Sequence, residues 1–285
     1  GKEPDTILAT FGDMVRVPGR SSSLEKERGK GVDVRVLYSP LDAVETAARN
    51  PGKEVVFLGV GFETTAPSIA GAVLSAEARG LSNFSVLSSV RTIPAAMEVL
   101  TSDPEVKIEG FLCPAHVSAI IGADAYLPLV RKFGIPCVVA GFEPLDILLG
   151  IHMLLEQKKR GEAVVENEYA RVATPEGNRK ALEVIDRVFR KSDIAWRGIG
   201  VIPGTGLAIA DPYAAFDAER KFGVEVPSTE EKTACRCGDV LKGKITPVQC
   251  PLFGKACTPD EPDGPCMVSS EGSCAAYFKY GVGAR

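Results

Sequence analysis

The sequence has little of what would place it in a membrane, on nucleic acid or at a nucleotide. No apolar run approaches the roughly 18 to 20 residues of a membrane span, and no signal-peptide pattern stands at its start. Lysine and arginine number 33 against 37 aspartates and glutamates, so the basic excess of a nucleic-acid binder is missing. There is no Gly-x4-Gly-Lys-Ser/Thr phosphate loop, and Gly204-Thr205-Gly206 is too short for a dinucleotide fingerprint. Histidine occurs twice, at His116 and His152, and tryptophan once, at Trp196. Cysteine is nearly absent from the first 230 residues, which hold only Cys113 and Cys137. These absences point to a cytoplasmic protein with no membrane and no nucleic-acid partner.

What is present is ordinary globular material: 285 residues, 45% hydrophobic and 25% charged, enough for two or three domains. The body alternates strand and helix. Apolar or alternating runs at 6–11, 32–38, 55–60, 84–87, 110–113 and 136–140 read as strands. The uninterrupted Val55-Val56-Phe57-Leu58-Gly59-Val60 is expected of a strand buried on both faces. Helical stretches at 41–49, 67–79, 93–101, 123–133 and 144–160 fall between or after them, the order of a parallel sheet with crossover helices. Gly61-Phe62-Glu63 returns as Gly141-Phe142-Glu143, each time after an apolar strand, which suggests two related halves. Beyond 163 the pattern loosens. A strand is expected at 164–172, a helix at 178–191, a strand with a Gly/Pro turn at 195–204, a helix at 216–222, and a linker around Pro227 and 229–232.

Six cysteines then crowd the last 55 residues: Cys235, Cys237, Cys250, Cys257, Cys266 and Cys274. A small disulfide domain can have this density, but a body without an export signal favours a metal or redox domain. Cys250, Cys257, Cys266 and Cys274, each in a turn rich in Pro, Gly or Thr, suit convergence on one cofactor. Thiolates favour an iron–sulfur cluster or zinc, and the missing Cys-x2–4-Cys knuckles favour the cluster. Cys235 and Cys237 are then a redox-active thiol pair, an inert disulfide, or in part a ligand themselves. Arg236 between them is placed to lower a thiol pKa. The expected fold is α/β, two related parallel-sheet, Rossmann-like halves plus a small C-terminal cysteine-rich iron–sulfur domain. The divisions fall at 1–82, 83–165, 166–230 (completing the α/β body) and 231–285.

In the body, Asp13 and Arg16 follow a strand end, where polar residues face the ligand crevice of a parallel sheet; a capped turn with a local ion pair is the alternative. Gly61-Phe62-Glu63-Thr64-Thr65 also follows a strand, with a threonine pair able to cap the next helix. His116 follows the strand carrying Cys113 and is either a functional or a satisfied structural side chain. Cys113 and Cys137 read as inert buried thiols, Trp196 as core, and His152 as structural.

Longer strings carry a resemblance. They include Ala9-Thr10-Phe11-Gly12-Asp13-Met14, Arg16-Val17-Pro18-Gly19, Gly61-Phe62-Glu63-Thr64-Thr65-Ala66-Pro67 and Pro114-Ala115-His116-Val117-Ser118. Ala140-Gly141-Phe142-Glu143-Pro144-Leu145-Asp146, Cys250-Pro251-Leu252-Phe253-Gly254-Lys255 and Gly264-Pro265-Cys266-Met267-Val268 continue it. With these, the chain resembles the HypD family of hydrogenase maturation factors from Thr6 to its C-terminus. The resemblance implies two α/β domains and a C-terminal domain with a 4Fe-4S cluster held by Cys250, Cys257, Cys266 and Cys274. It places Cys235 and Cys237 beside the cluster, as in ferredoxin–thioredoxin reductase, and Asp13, His116 and Glu271 at a central cleft. It implies partnership with HypC and HypE and, indirectly, the hydrogenase large subunit, around a transient iron carrying CN and CO ligands. A cluster-dependent thiol/disulfide oxidoreductase and a partner-binding fragment are the alternatives. The sequence starts at Gly1 without methionine and lacks the family's Cys-Gly-Gly-His-Thr-His and Gly-Pro-Gly-Cys-Pro-x-Cys motifs, as expected of a chain short of its first segment. Val90-Arg91 stands where the family suggests His-Lys.

Overall fold

The protein is seen in a computed structural model that describes residues 5–19, 21–196, 199–224 and 234–281. The expected linker around Pro227 and 229–232 lies outside the described residues, as do Arg197 and Gly198. The first sheet is built on β1 (Thr6–Thr10), β2 (Asp33–Val36), β3 (Glu54–Gly61) and β4 (Phe84–Arg91), parallel in the order β2-β1-β3-β4. Val55, Val56 and Phe57 are buried at its centre, because crossover helices cover the faces of a parallel sheet. The helix Pro40–Arg49 starts where Ser39 and Asp42 form a reciprocal capping box with Pro40 in the first turn. It buries Ala43, Val44 and Ala47 against Ile69, Ala70 and Val73 of the helix Ala66–Ala78.

The second sheet is smaller and parallel: β5 (Phe111–Pro114), β6 (Cys137–Ala140) and β7 (Val165–Asn167), in that order. Its core gathers Cys113, Cys137, Val139, Tyr126 and Leu129. The two Gly-Phe-Glu segments follow β3 and β6, and each of these strands lies between two parallel neighbours.

The chain then returns to the first sheet through a hairpin, β8 (Phe189–Trp196) and β9 (Gly200–Ile209), with β9 antiparallel to β4. Four expectations change. The strand after 82 joins the first sheet, since Asn83 anchors its start by donating to the carbonyls of Ala47, Asn50 and Lys53. The helix expected to Lys191 ends at Val188, because Phe189 is buried and pairs with Ile209. Pro203-Gly204 is no turn but an irregularity inside β9: Gly204 takes a φ of 68°, its N–H donates to Asp193 Oδ1 at 2.9 Å, and the register slips between Ser192 and Ile194. The strand expected at 164–172 is confined to Val165–Asn167.

The tail has its own small core of Cys237, Cys257, Cys266, Met267, Cys274 and Ala275. Lys242 and Lys244 tie it to the body through Asp103 at 3.2 and 3.1 Å. The Glu105 amide, then these two ammonium groups, hold the Asp103 carboxyl down to about 2. Among the described residues, no helix is long and apolar enough to cross a membrane.

Candidate metal centre

The tail cysteines arrive on short, separate elements. Cys235 and Cys237 flank the entry of the helix Cys237–Leu241, and Cys250 ends a 3-10 turn set by Thr246 and Gln249. Cys257 sits in a tight turn, Cys266 in the first turn of Pro265–Val268, and Cys274 in that of Ser273–Tyr280. All six line one cavity, together with Phe253, Gly264 and Met267. Five are less than a tenth exposed and Cys235 is half-buried. Gly264 is required beside the pair, because a Cβ there would strike Cys235 Sγ. Gly272 is required beside Cys266, whose carbonyl carbon would stand 2.7 Å from an added Cβ.

The donor set fits a thiolate-ligated cluster. Six soft sulfurs surround one space, and among the described residues no nitrogen or oxygen side chain shares its lining. The Asp263 N–H points at Cys257 Sγ at 3.3 Å, the kind of bond that tunes cluster sulfurs. Among the described residues no three His, Cys, Asp or Glu side chains come close enough to hold a single ion. Cys237 stands beside Cys266, whose thiol hydrogen bond, with burial, pushes the Cys237 thiol up. Burial pushes Cys235 up to about 12 and Cys274 up to about 11. Arg236 does not activate its neighbours as expected: its guanidinium is engaged by Asp239 at 2.9 Å.

The body has a second polar region. β1 connects onward to β2 on one side, while β3 lies on the other, so the strand order reverses at their carboxyl ends. Asp13 is there, exposed on the turn Gly12–Met14. So is Gly61, whose φ of 144° and contact with Thr65 admit no side chain. Thr65 takes the N-cap position, yet its side chain makes no capping bond. His116 is exposed after β5 and stacks on Phe142 at 4.9 Å. Glu271 is exposed in the turn before Ser273–Tyr280, its amide bonded to Ser269 Oγ. These three acid–base candidates sit on separate elements. Cys113 and Cys137 are buried thiols in mutual contact, as expected. Trp196 is not core: it is half-buried, packs near Phe62 at 6.1 Å, and donates to Thr205 Oγ1 at 2.8 Å.

Glu63 is the residue that sequence reasoning passed over. It is 3% exposed; Oε1 accepts the Ile93 amide at 2.7 Å, at the start of the helix Ile93–Ser102, and Oε2 has no partner among the described residues. Burial pushes its carboxyl above the ordinary 4.5, against the pull of the Ile93 amide. The folded chain therefore holds this proton longer than the unfolded one, and stability falls as pH climbs from 4.5 through the raised value. Glu63→Gln keeps a carbonyl for Ile93 and removes that fall. Melting curves taken from about pH 3.5 to 8 are expected to converge below the ordinary 4.5, where the carboxyl is neutral folded and unfolded. Above the raised value the variant is expected to melt higher than the wild type, because it carries no buried charge there. Parallel profiles for the two proteins would exclude the titration.

The sequence profile of the family described as "HypD: Hydrogenase formation hypA family" matches residues 1–281. The hydrogenase maturation factor HypD of Rhodobacter capsulatus is 49% identical over 287 residues, covering 99% of this chain and 76% of that protein. The protein of the same name from Azotobacter vinelandii is 46% identical, covering 98% and 76%. That of Escherichia coli is 45% identical over 278 residues, covering 97% and 74%.

Proposed function

The chain belongs to the HypD family and has a role in hydrogenase maturation; from that premise we propose that it is a cytoplasmic scaffold for the hydrogenase iron centre. Its cargo is an iron carrying two cyanides and one carbon monoxide, assembled with HypC and HypE and passed on to the hydrogenase large subunit. Cys250, Cys257, Cys266 and Cys274 would hold a 4Fe-4S cluster, and Cys235 and Cys237 would be the adjoining dithiol. The observation that carries this reading is the convergence of six cysteines on one cavity lined by carbon and sulfur.

When bound, such a cluster supplies one-electron redox chemistry. The protein's part is positional. Short turns deliver each thiolate from its own element, the Asp263 amide draws charge from Cys257, and Cys235 and Cys237 stand on the wall of the same cavity. Asp13, His116 and Glu271 are the acid–base groups assigned to the cleft. The closeness of Cys235 and Cys237 to the other four also favours a thiol/disulfide oxidoreductase reading, in which Cys237→Ser abolishes thiol turnover.

Anaerobic reconstitution tests the proposal. The chain is expected to bind about four irons and four sulfides, and with HypC and HypE to show infrared stretches of bound cyanide and carbon monoxide. A cluster-loaded chain without those stretches overturns the scaffold role; zinc bound in place of iron overturns the cluster.

A further inference from the structure

An aromatic run leads from the cysteine cavity to the surface of the tail. Phe253 is part of the cavity wall, beside the six cysteines. A tight loop fixes it: its N–H donates to Cys250 O at 3.1 Å, and the Cys257 N–H donates to Leu252 O at 3.0 Å. Its ring meets Tyr277 at 6.1 Å and Phe278 at 6.0 Å, edge-on to both, on the helix Ser273–Tyr280. The loop lies against that helix, since a Cβ on Gly254 would stand 3.8 Å from Phe278 Cε2. Tyr280 follows Tyr277 by one turn, on the same side of the helix, and is 73% exposed. Ring contacts and one helical turn thus join the cavity wall to solvent.

The charge around this run is unbalanced. Among the described residues of the tail, the cations are Arg236, Lys242, Lys244, Lys255 and Lys279. Asp239 engages Arg236, while Asp103 and Glu105 of the body engage Lys242 and Lys244. Lys255 and Lys279 are exposed, and neither has a carboxylate within ion-pair distance among the described residues. Both border the aromatic run. Lys255 follows Gly254 in the loop, and Lys279 Nζ lies 5.1 Å from the Tyr280 ring centre. Glu271 precedes the same helix at its far end. An exposed ring flanked by two uncompensated ammonium groups attracts an acidic partner.

We propose that this side of the tail is where an electron enters: an acidic one-electron carrier protein docks its carboxylates on Lys255 and Lys279 and its apolar rim on Tyr280. The inference rests on the cluster reading of the cavity and adds the partner class that reduces it. In the step the carrier's ferrous iron becomes ferric and the 4Fe-4S cluster gains one electron; no bond forms or breaks and no proton moves. A patch of two charges and one exposed ring is small, as suits the brief encounter of redox proteins that must part after transfer. Charge then sets the rate of meeting more than the strength of the complex.

The probe is an acidic plant-type [2Fe-2S] ferredoxin, with basic cytochrome c as the contrast. Carbodiimide, which joins lysine to carboxylate without a spacer, is expected to link the ferredoxin to the chain at Lys255 and Lys279, and cytochrome c not at all. Stopped-flow absorbance is expected to show reduced ferredoxin passing its electron to the loaded chain. Lys255→Glu with Lys279→Glu, at exposed positions, is expected to slow that transfer by about tenfold or more at low ionic strength. The gap closes near about 1 M salt, where charges are screened within about 3 Å. Dithionite, a small reductant that needs no dock, is expected to reduce both proteins alike. Equal ferredoxin rates in the two proteins would overturn the proposal, as would cross-links that fall elsewhere or equal linking of cytochrome c. A loaded chain that dithionite reduces and ferredoxin does not would overturn it while the cluster reading stands; a chain that takes up no iron would remove both.

Discussion

If the tail holds the proposed cluster, Cys266→Ser is expected to abolish it: iron content after anaerobic reconstitution falls from about four per chain to well below one. Cys266 is 5% exposed and pinned by Gly272, so the serine hydroxyl occupies the same place with little change in packing. It is a poor match for iron where a soft thiolate is wanted. The loss extends to stability. The tail core is six small or sulfur-bearing residues with a few partly buried neighbours, and a group bound only by the folded tail stabilises it by mass action. Limited proteolysis is therefore expected to cut within 235–281 in the variant and in the metal-free protein, while the cluster-loaded tail resists. Cys113→Ser is the control: its thiol lies in the second core beside Cys137 and does not line the cysteine cavity, so iron content stays at the wild-type level. Cys237→Ser decides the division of the six. Retained iron keeps Cys237 in the redox pair. Iron lost there and kept in Cys274→Ser would reverse the ligand assignment.

Much of the fold was legible because local and global signals agree. The apolar run of β3 can only be a strand covered on both faces, and Ser39-Pro40 with Asp42 marks a helix start without ambiguity. The hairpin was not legible, for a physical reason. Residues 178–191 keep a helical pattern across Phe189, and Pro203-Gly204 has turn composition. Only the pairing of β9 with β4 makes a strand of each, and that contact spans more than a hundred residues of chain. The same division holds at the site. Cysteine density announced the convergence of the tail. The effect of Arg236 was misread because Asp239, three residues on, takes the guanidinium. Glu63 was visible as part of a repeated tripeptide, but its burial depends on where the helix Ile93–Ser102 begins. Asp13 and His116 were visible as polar residues at strand ends, Glu271 only through the resemblance, and their exposure gives each room to act without showing a shared partner.

Gly177→Ala is expected to be among the most damaging single-methyl additions to the chain. Residues 120–124 and 174–178 cross backbone to backbone: Ala123 N–H donates to Thr174 O at 3.0 Å, Asp124 N–H to Pro175 O at 3.1 Å, and Asn178 N–H to Ile120 O at 2.9 Å. This crossing fastens the helical segment after β5 to the lead-in of the helix Arg179–Val188, which carries the chain back to the first sheet. Both glycines at its centre have positive φ, 85° for Gly122 and 72° for Gly177. A Cβ on Gly177 would stand 2.5 Å from Gly122 N and 2.6 Å from Ile121 C. The obstruction is backbone, so no side chain can turn aside to relieve it. Strain of the left-handed conformation adds about 1 kcal/mol or more, and separating the crossing forfeits hydrogen bonds worth about 1 kcal/mol each. A loss of about 3 kcal/mol follows, read as a melting point lower by about 6 to 12 °C. Gly134→Ala gives the reference, since its φ of 63° carries the strain while nothing lies within 4 Å of the added Cβ. If the two variants melt together, the crossing is not what holds the halves; if Gly177→Ala falls well below Gly134→Ala, the difference measures it.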